Sequence, residues 1–120
     1  MERSVLLVDD EASMRDLLGR VLERRQATVW KAGNGEEALE LFSVHRPQVV
    51  LLDVKLPGME GPQILTKMKE ISPDARIFFL TGAEDSRFSS PEKVEALGAD
   101  GCFLKPVDID ELLRTVFSPR

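Results

Sequence analysis

The feature that most constrains the fold of this chain is a regular alternation of short apolar runs with longer segments of helical periodicity. The apolar runs have the length of buried strands and lie at residues 4–8, 28–32, 48–53, 76–80 and 101–104. Such an alternation is typical of a parallel sheet covered by helices on both faces. We therefore predict an α/β fold, a doubly wound five-stranded parallel sheet, formed by residues 1–120 as one domain.

Helix signals separate the predicted strands. The first helix is indicated by an apolar stripe at three- and four-residue steps, formed by Met14, Leu17, Leu18, Val21 and Leu22. The later helices are indicated by their starts: Asn34-x-x-Glu37 before residues 35–45, Pro62 in a first turn, Ser89-Ser90-Pro91-Glu92 before a short fourth helix, and Asp108-x-x-Glu111 before the fifth.

The charge balance limits the classes of partner. Sixteen Lys and Arg against 21 Asp and Glu give a net charge of −5, so we expect no direct binding to nucleic acid or to an anionic membrane. The apolar runs are far shorter than the roughly 20 residues of a membrane-spanning helix. A single cysteine, Cys102, excludes an internal disulfide and fits a reducing compartment. We expect a cytoplasmic protein without a signal peptide.

Polar side chains follow the predicted strands, where parallel α/β sheets place their binding crevice. Asp9 and Asp10 follow the first strand, Asp53 ends the third, Thr81 follows the fourth and Lys105 follows the fifth. Clustered carboxylates repel unless a proton or a cation joins them. Oxygen ligands without His or Cys favour Mg²⁺, Mn²⁺ or Ca²⁺ over zinc, and Mg²⁺ commonly joins a few carboxylates to a phosphoryl group.

A phosphoryl-transfer reaction would use the carboxylate, the ammonium and the hydroxyl of this set in different roles. Asp53, the most interior carboxylate, is suited to attack phosphorus and become an acyl phosphate. The transferred group carries charge on three oxygens, which Mg²⁺, the Lys105 ammonium and the Thr81 hydroxyl would neutralise. The sequence therefore predicts a reactive centre formed by Asp53, Lys105 and Thr81.

Four segments in order resemble the receiver domain of two-component response regulators. They are Val8-Asp9-Asp10, the run LDVKLPGMEG at residues 52–61, Thr81-Gly82 and Lys105-Pro106. The resemblance spans nearly the whole chain, and the combination is far more specific than any one segment. It implies a flavodoxin-like receiver fold with strand order 2-1-3-4-5. It also implies a signalling switch of a phosphorelay, which catalyses only its own phosphorylation and dephosphorylation.

The resemblance also implies residue roles. Asp53 would accept phosphate from a sensor histidine kinase or a phosphotransfer protein. Asp10 would bind Mg²⁺ directly and Asp9 largely through water, with Asp53 and the Lys55 backbone carbonyl as further ligands. Lys105 would pair with the phosphoryl group, Thr81 would swing toward it, and the Lys105–Pro106 peptide would be cis. An output domain or protein would read the change on the helix 4/strand 5/helix 5 face, where a homodimer is an alternative.

Two departures from the family pattern affect the readout. Cys102 stands where the family usually has Tyr or Phe, and Phe103 is expected to point to the other face of the sheet. The span from Glu84 to Pro91 is polar and rich in serine, which predicts a delayed and shortened fourth helix.

Other functions stay open at this point. A phosphatase or phosphotransferase with an Asp nucleophile would usually carry a second acid where Lys55 stands, and would need a substrate domain. A flavodoxin-like cofactor site would need a phosphate loop in place of Asp9-Asp10-Glu11. A receiver fold that serves only as a protein-binding module is the third alternative. Simpler interpretations are an acidic helix start for Asp9-Asp10-Glu11, a cap or turn hydroxyl for Thr81, a surface position for His45, and packing for Trp30 and Cys102.

Overall fold

The computed structural model describes residues 3–82, 85–88 and 90–118. Strands and helices alternate along the chain as β1 Ser4–Val8, α1 Ala12–Glu23, β2 Thr28–Ala32, α2 Gly35–His45, β3 Val49–Asp53, α3 Gly61–Ile71, β4 Arg76–Thr81, α4 Pro91–Ala96, β5 Gly101–Leu104 and α5 Ile109–Val116. A 3₁₀ turn, Ser86–Phe88, precedes α4. The predicted strands are confirmed, with two shifts of one residue: β3 begins at Val49, and β4 continues to Thr81 because Thr81 still pairs with Leu104.

The five strands form one parallel sheet in the order β2-β1-β3-β4-β5, as predicted. The chain reverses its direction across the sheet after β2, because β3 is added on the other side of β1. The carboxyl ends of β1 and β3 therefore border the crevice in which open α/β sheets hold their ligands. Asp9 follows one of these strands, and Asp53 ends the other.

The core has two layers because successive strand residues point to opposite faces of the sheet. On one face, α2, α3 and α4 bury side chains that include Phe42, Ile64, Met68, Phe79 and Val94. On the other face, α1 and α5 bury side chains that include Leu18, Leu22, Phe78, Phe103 and Leu112. Phe103 thus lies on the face opposite the layer against which Cys102 packs, as predicted.

The predicted capping residues begin three of the helices. Asn34 Oδ1 accepts a hydrogen bond of 2.8 Å from Glu37 N, and Asp108 Oδ1 accepts one of 3.2 Å from Glu111 N. Ser90 Oγ accepts from Lys93 N at 3.2 Å, whereas Ser89 of the same predicted motif lies outside the described residues. Helix α4 has only six residues, which agrees with the predicted shortening. No helix in the described ranges has the length and apolar character needed to cross a bilayer.

The predicted stripe of α1 was too wide. Leu18 and Leu22 are fully buried against the sheet, but the side chain of Leu17 is 51% exposed. A helix that rests on a sheet buries one narrow stripe, and Leu17 is rotated about 100° from Leu18 around the helix axis. Leu17 therefore belongs to the solvent-facing flank of α1.

Candidate functional site

Asp53 is the last residue of β3, and its side chain is held at both oxygens. Oδ1 accepts a hydrogen bond of 3.0 Å from Lys55 N, and Oδ2 accepts one of 3.0 Å from Lys105 Nζ. Only 8% of the side chain is exposed. A carboxylate this buried needs charged or polar partners, and the loop after β3 and the end of β5 supply them.

Asp9 is the second buried carboxylate, directly after β1. Its backbone N–H continues the sheet by donating to Ala32 O at 3.1 Å, while Oδ1 accepts from Glu11 N at 2.9 Å. Asp9 is only 2% exposed, whereas Asp10 faces solvent. Helix α1 begins at Ala12 and its N-cap, Glu11, makes no side-chain capping bond. An acidic helix start therefore does not account for the buried position of Asp9.

Arg15 supports this loop and was missed from the sequence. Arg15 Nη1 donates a hydrogen bond of 2.6 Å to the backbone carbonyl of Asp9. The only available signal was a basic residue one helical turn after Glu11, and Arg15 N does donate to Glu11 O at 3.1 Å. Arg15 thus fixes the backbone that carries Asp9 without touching its carboxylate in this structure.

Lys105 joins the carboxylates from the other side of the crevice. Its Nζ lies 3.0 Å from Asp53 Oδ2, 3.3 Å from Asp9 Oδ2 and 3.9 Å from Glu11 Oε1. Burial opposes the charged form, but the hydrogen bond to Asp53 and the charges of Asp53 and Asp9 outweigh it, so the pKa of Lys105 is raised above its ordinary value. The backbone is held as well, since Lys105 N donates to Thr81 O at 2.8 Å.

Thr81 ends β4 and is 1% exposed. Its hydroxyl donates a long hydrogen bond of 3.3 Å to Gly82 O, and the residue caps no described helix. The peptide between Lys105 and Pro106 is cis, as the family resemblance implied. Thr81 ends β4 and Lys105 directly follows β5, the next strand of the sheet. Both residues lie at the same edge of the sheet as Asp53, which ends β3.

Lys55 places its backbone N–H on Asp53, and its side chain is exposed. Its charge acts on the turn after β4. The hydrogen bond from Arg87 lowers the pKa of Asp85, burial opposes this shift, and the positive charge of Lys55 adds a smaller lowering. Arg87 also pairs with Glu60 at 3.2 Å, so this turn is tied to the start of α3. Charged side chains of the loop after β3 and of the turn after β4 therefore interact with one another.

The three predicted acids lie together. One carboxylate oxygen from each of Asp9, Asp10 and Asp53 is within 4.8 Å of the other two. The donor set contains only oxygen, which suits Mg²⁺ or Ca²⁺ and does not suit zinc. Asp10 faces solvent, so water has access to complete the coordination of an ion. These residues fit a hydrated divalent cation.

His45, Trp30 and Cys102 lie outside this cluster. His45 is exposed at the end of α2, as predicted, and its ring stacks on that of Trp30 with centroids 4.3 Å apart. The stack was missed because it joins a strand and a helix that periodicity treats separately. Cys102 is half-buried in β5, and burial raises the pKa of its thiol to about 11. This favours the predicted packing role, because the thiolate is the reactive form.

Comparisons with known proteins agree with this geometry. The family described as "Response regulator receiver domain" matches residues 5–117. The chain is 38% identical over 112 residues to sporulation initiation phosphotransferase F of Bacillus subtilis (strain 168), covering 93% of this chain and 89% of that protein.

Solved structures match over the same extent. A CheY-like response regulator receiver domain protein from Methanospirillum hungatei JF-1 superimposes with a TM-score of 0.88 at 28% identity, covering 97% of this chain and 91% of that one. A response regulator protein from Burkholderia pseudomallei, with a phosphorylated aspartic acid, calcium ion and citrate, superimposes with a TM-score of 0.84 at 28% identity, covering 97% of this chain and 67% of that one.

Proposed function

Because this chain belongs to the receiver domains of two-component response regulators, we propose that residues 1–120 act as a phosphorylation switch whose phosphoacceptor is Asp53. The observation that carries the proposal is the position of the Asp53 carboxylate. It is almost fully buried, yet it lies between the Lys105 ammonium and two further carboxylates at the carboxyl edge of the sheet. The phosphorylated aspartic acid named for the Burkholderia pseudomallei protein supports the same chemistry.

In the proposed reaction an oxygen of Asp53 attacks the phosphorus of a phosphohistidine. A bond forms between that oxygen and phosphorus while the bond from phosphorus to the imidazole nitrogen breaks. Mg²⁺ would be held by Asp10, by Asp9 largely through water, by Asp53 and by the Lys55 carbonyl oxygen, and it would supply positive charge beside the phosphoryl oxygens. The donor is a sensor histidine kinase or a phosphotransfer protein.

Lys105 and Thr81 act on the product. The ammonium already donates to Asp53 Oδ2 at 3.0 Å, so it needs little movement to pair with a phosphoryl oxygen. The Thr81 hydroxyl donates to Gly82 O at 3.3 Å, a long and weak hydrogen bond that costs little to exchange for a charged acceptor. Its reorientation would transmit the new charge to β4 and the turn after it.

The change is read out on the face formed by α4, β5 and α5, by an output domain or protein, and a homodimer through this face is the alternative partner. The net charge of −5 supports a protein partner over direct contact with nucleic acid or a membrane. We place the switch in the cytoplasm, since one cysteine and no disulfide fit a reducing compartment.

Incubation with Mg²⁺ and acetyl phosphate, followed by intact-mass measurement, tests this function. Wild type is expected to gain the mass of one phosphoryl group, and chelation of the cation is expected to prevent the gain. Asp53→Asn should gain nothing, whereas the control Asp110→Asn, which changes an exposed carboxylate of α5, should behave as wild type. No added mass in wild type would favour a protein-binding module, and sustained turnover of phosphomonoesters would favour an enzyme.

A further inference from the structure

A cavity of about 640 Å³ opens between α4 and β5, on the edge of the sheet opposite β2. Its apolar wall includes Phe88, Val94, Ala99 and Cys102, three of which are nearly inaccessible to solvent. Leu104, which is 54% exposed, also lines it. Its volume lies within the roughly 300–1,000 Å³ of pockets that bury small organic ligands.

The cavity exists because none of the described residues around it places a large side chain in its interior. The side chain at position 102 is a small thiol, and the neighbouring ring of Phe103 packs on the other face, 5.6 Å from Phe78. Phe88 is held by an edge contact with Phe79 at 5.1 Å. Helix α4 begins only at Pro91 and has six residues, so it covers little of β5.

Among the residues that the structure describes, the charged ones that line the cavity are all acidic: Asp85, Glu95 and Asp100. Asp85 is paired with Arg87 at 3.1 Å, and Asp100 with Lys69 at 3.1 Å. Glu95 is exposed and has no ion pair with any residue that the structure describes. The rim therefore keeps negative charge that a cationic ligand would meet and an anionic ligand would not.

We propose that this cavity receives a bulky apolar side chain carried beside a lysine or arginine, on a short segment of the protein that reads the switch. The inference rests on the proposed function, because it specifies the chemistry of the output partner. The apolar wall would bury the large side chain, which is a main source of affinity at protein interfaces. The acidic rim would select basic segments and steer their approach.

Two small probes that share an indole group but carry opposite charges test the site. Amide chemical shifts of ¹⁵N-labelled protein are followed while tryptamine, which is cationic, or indole-3-acetate, which is anionic, is added at low ionic strength. Tryptamine is expected to shift the amides of Phe88, Val94, Gly101 and Cys102, and to bind about threefold more tightly than indole-3-acetate. Glu95→Gln should reduce that preference without abolishing binding of the ring.

Filling the cavity provides the second arm. Cys102→Phe should weaken tryptamine binding about tenfold, whereas the control Cys102→Ser, which keeps the space, should bind as wild type. If Cys102→Phe does not fold, the comparison of the two oppositely charged probes, with wild type and with Glu95→Gln, still tests the proposal. Equal binding of the two probes, shifts confined to other residues, or unchanged binding by folded Cys102→Phe would overturn the inference.

Phosphorylation of Asp53 is measured on the same samples, so that a failure of the proposed switch can be distinguished from a failure of the proposed binding cavity. If Asp53 gains a phosphoryl group and no probe binds at the cavity, the inference about the partner is wrong and the switch stands. If a probe binds as expected but Asp53 accepts no phosphate, the cavity is a binding site and the proposed switch is wrong.

Discussion

Lys105 Nζ donates a hydrogen bond of 3.0 Å to Asp53 Oδ2, joining the ends of two strands that are 52 residues apart in sequence. The same ammonium lies 3.3 Å from Asp9 Oδ2. Both carboxylates are nearly inaccessible to water, so their repulsion is poorly screened and the ammonium offsets it. The residues proposed to transfer phosphate therefore also stabilise one another in the resting protein.

Removal of this ammonium should cost stability in a cation-dependent way. Lys105→Ala leaves two buried carboxylates without their shared donor, and we expect the free energy of unfolding to fall by about 1–3 kcal/mol without divalent cations. Mg²⁺ should restore part of that loss, while phosphorylation of Asp53 stays impaired. Urea unfolding at pH 7 with and without Mg²⁺ measures the effect.

Lys67→Ala is the matched control, because Lys67 is exposed on α3 and away from the acids. It should change the free energy of unfolding by less than about 0.5 kcal/mol. If Lys105→Ala had no folded structure even in Mg²⁺, this would contradict the expectation that Lys105 is needed for phosphorylation of Asp53 but not for folding.

The raised pKa of Lys105 predicts a loss of stability at alkaline pH. A lysine with a higher pKa in the folded state contributes stability fully below its unfolded value, near 10.5, and loses it as pH rises through the folded value above that. The stability difference between wild type and Lys105→Met should be constant from about pH 7 to 9 and shrink above about pH 10.5.

Denaturant unfolding at a series of pH values measures this difference. The chain has no tyrosine, and the Cys102 thiol, with a pKa of about 11, is common to both proteins, so its titration cancels in the difference. A difference that stays level to the highest pH at which both proteins fold would show that the ammonium is not stabilised by Asp53 and Asp9.

Cys102 should react slowly with alkylating reagents. At pH 8 a thiol with a pKa of about 11 is roughly one thousandth thiolate, against about a quarter for an ordinary thiol. We expect iodoacetamide to modify the folded protein about a hundredfold more slowly than the urea-unfolded protein, with a rate that rises about tenfold per pH unit. Mass spectrometry follows the reaction, and equal rates in both states would contradict the burial of this thiol.

Gly61 should not tolerate a side chain. A Cβ atom there would lie 2.9 Å from Val54 Cα and 3.3 Å from the Asp53 carbonyl oxygen, and backbone cannot move aside cheaply. Gly61→Ala should lower the free energy of unfolding by about 1–3 kcal/mol, although alanine favours helices.

Gly35→Ala is the control, since Gly35 is likewise the first residue of a helix. Its added Cβ would meet the side chains of Met59 and Ile64, which can adjust. We expect a change below about 1 kcal/mol, measured by urea unfolding beside Gly61→Ala. Similar losses in both variants would argue against a tight backbone contact behind Asp53.

Much of the fold could be predicted because this topology leaves clear marks in the sequence. The strand β3 is buried along its whole length, so its apolar run is continuous and ends abruptly at Asp53. The starts of two helices could also be predicted from the sequence. Asn34 and Asp108 accept hydrogen bonds from the backbone N–H groups three residues later, as the N-cap spacing indicated. The site residues follow from the same logic, because parallel strands bring their carboxyl ends to one edge.

The features that escaped prediction depend on contacts between elements. Periodicity gives the apolar side of α1 but not the width of its contact with the sheet, and Leu17 is exposed for that reason. The hydrogen bond from Arg15 to the Asp9 carbonyl depends on how the loop turns after β1. The cavity beside Cys102 requires the relative positions of α4 and β5, which no local pattern encodes.

The stacking of Trp30 on His45 determines which part of the protein the intrinsic tryptophan fluorescence can report on. Trp30 is the one indole in the chain, and it lies on β2, at the far side of the sheet from β5. The indole ring is in face contact with the imidazole of His45, so its surroundings change whenever that contact is lost. Intrinsic fluorescence therefore reports on the contact between β2 and the last turn of α2, and kinetic work on Asp53 needs a chromophore placed nearer to that residue.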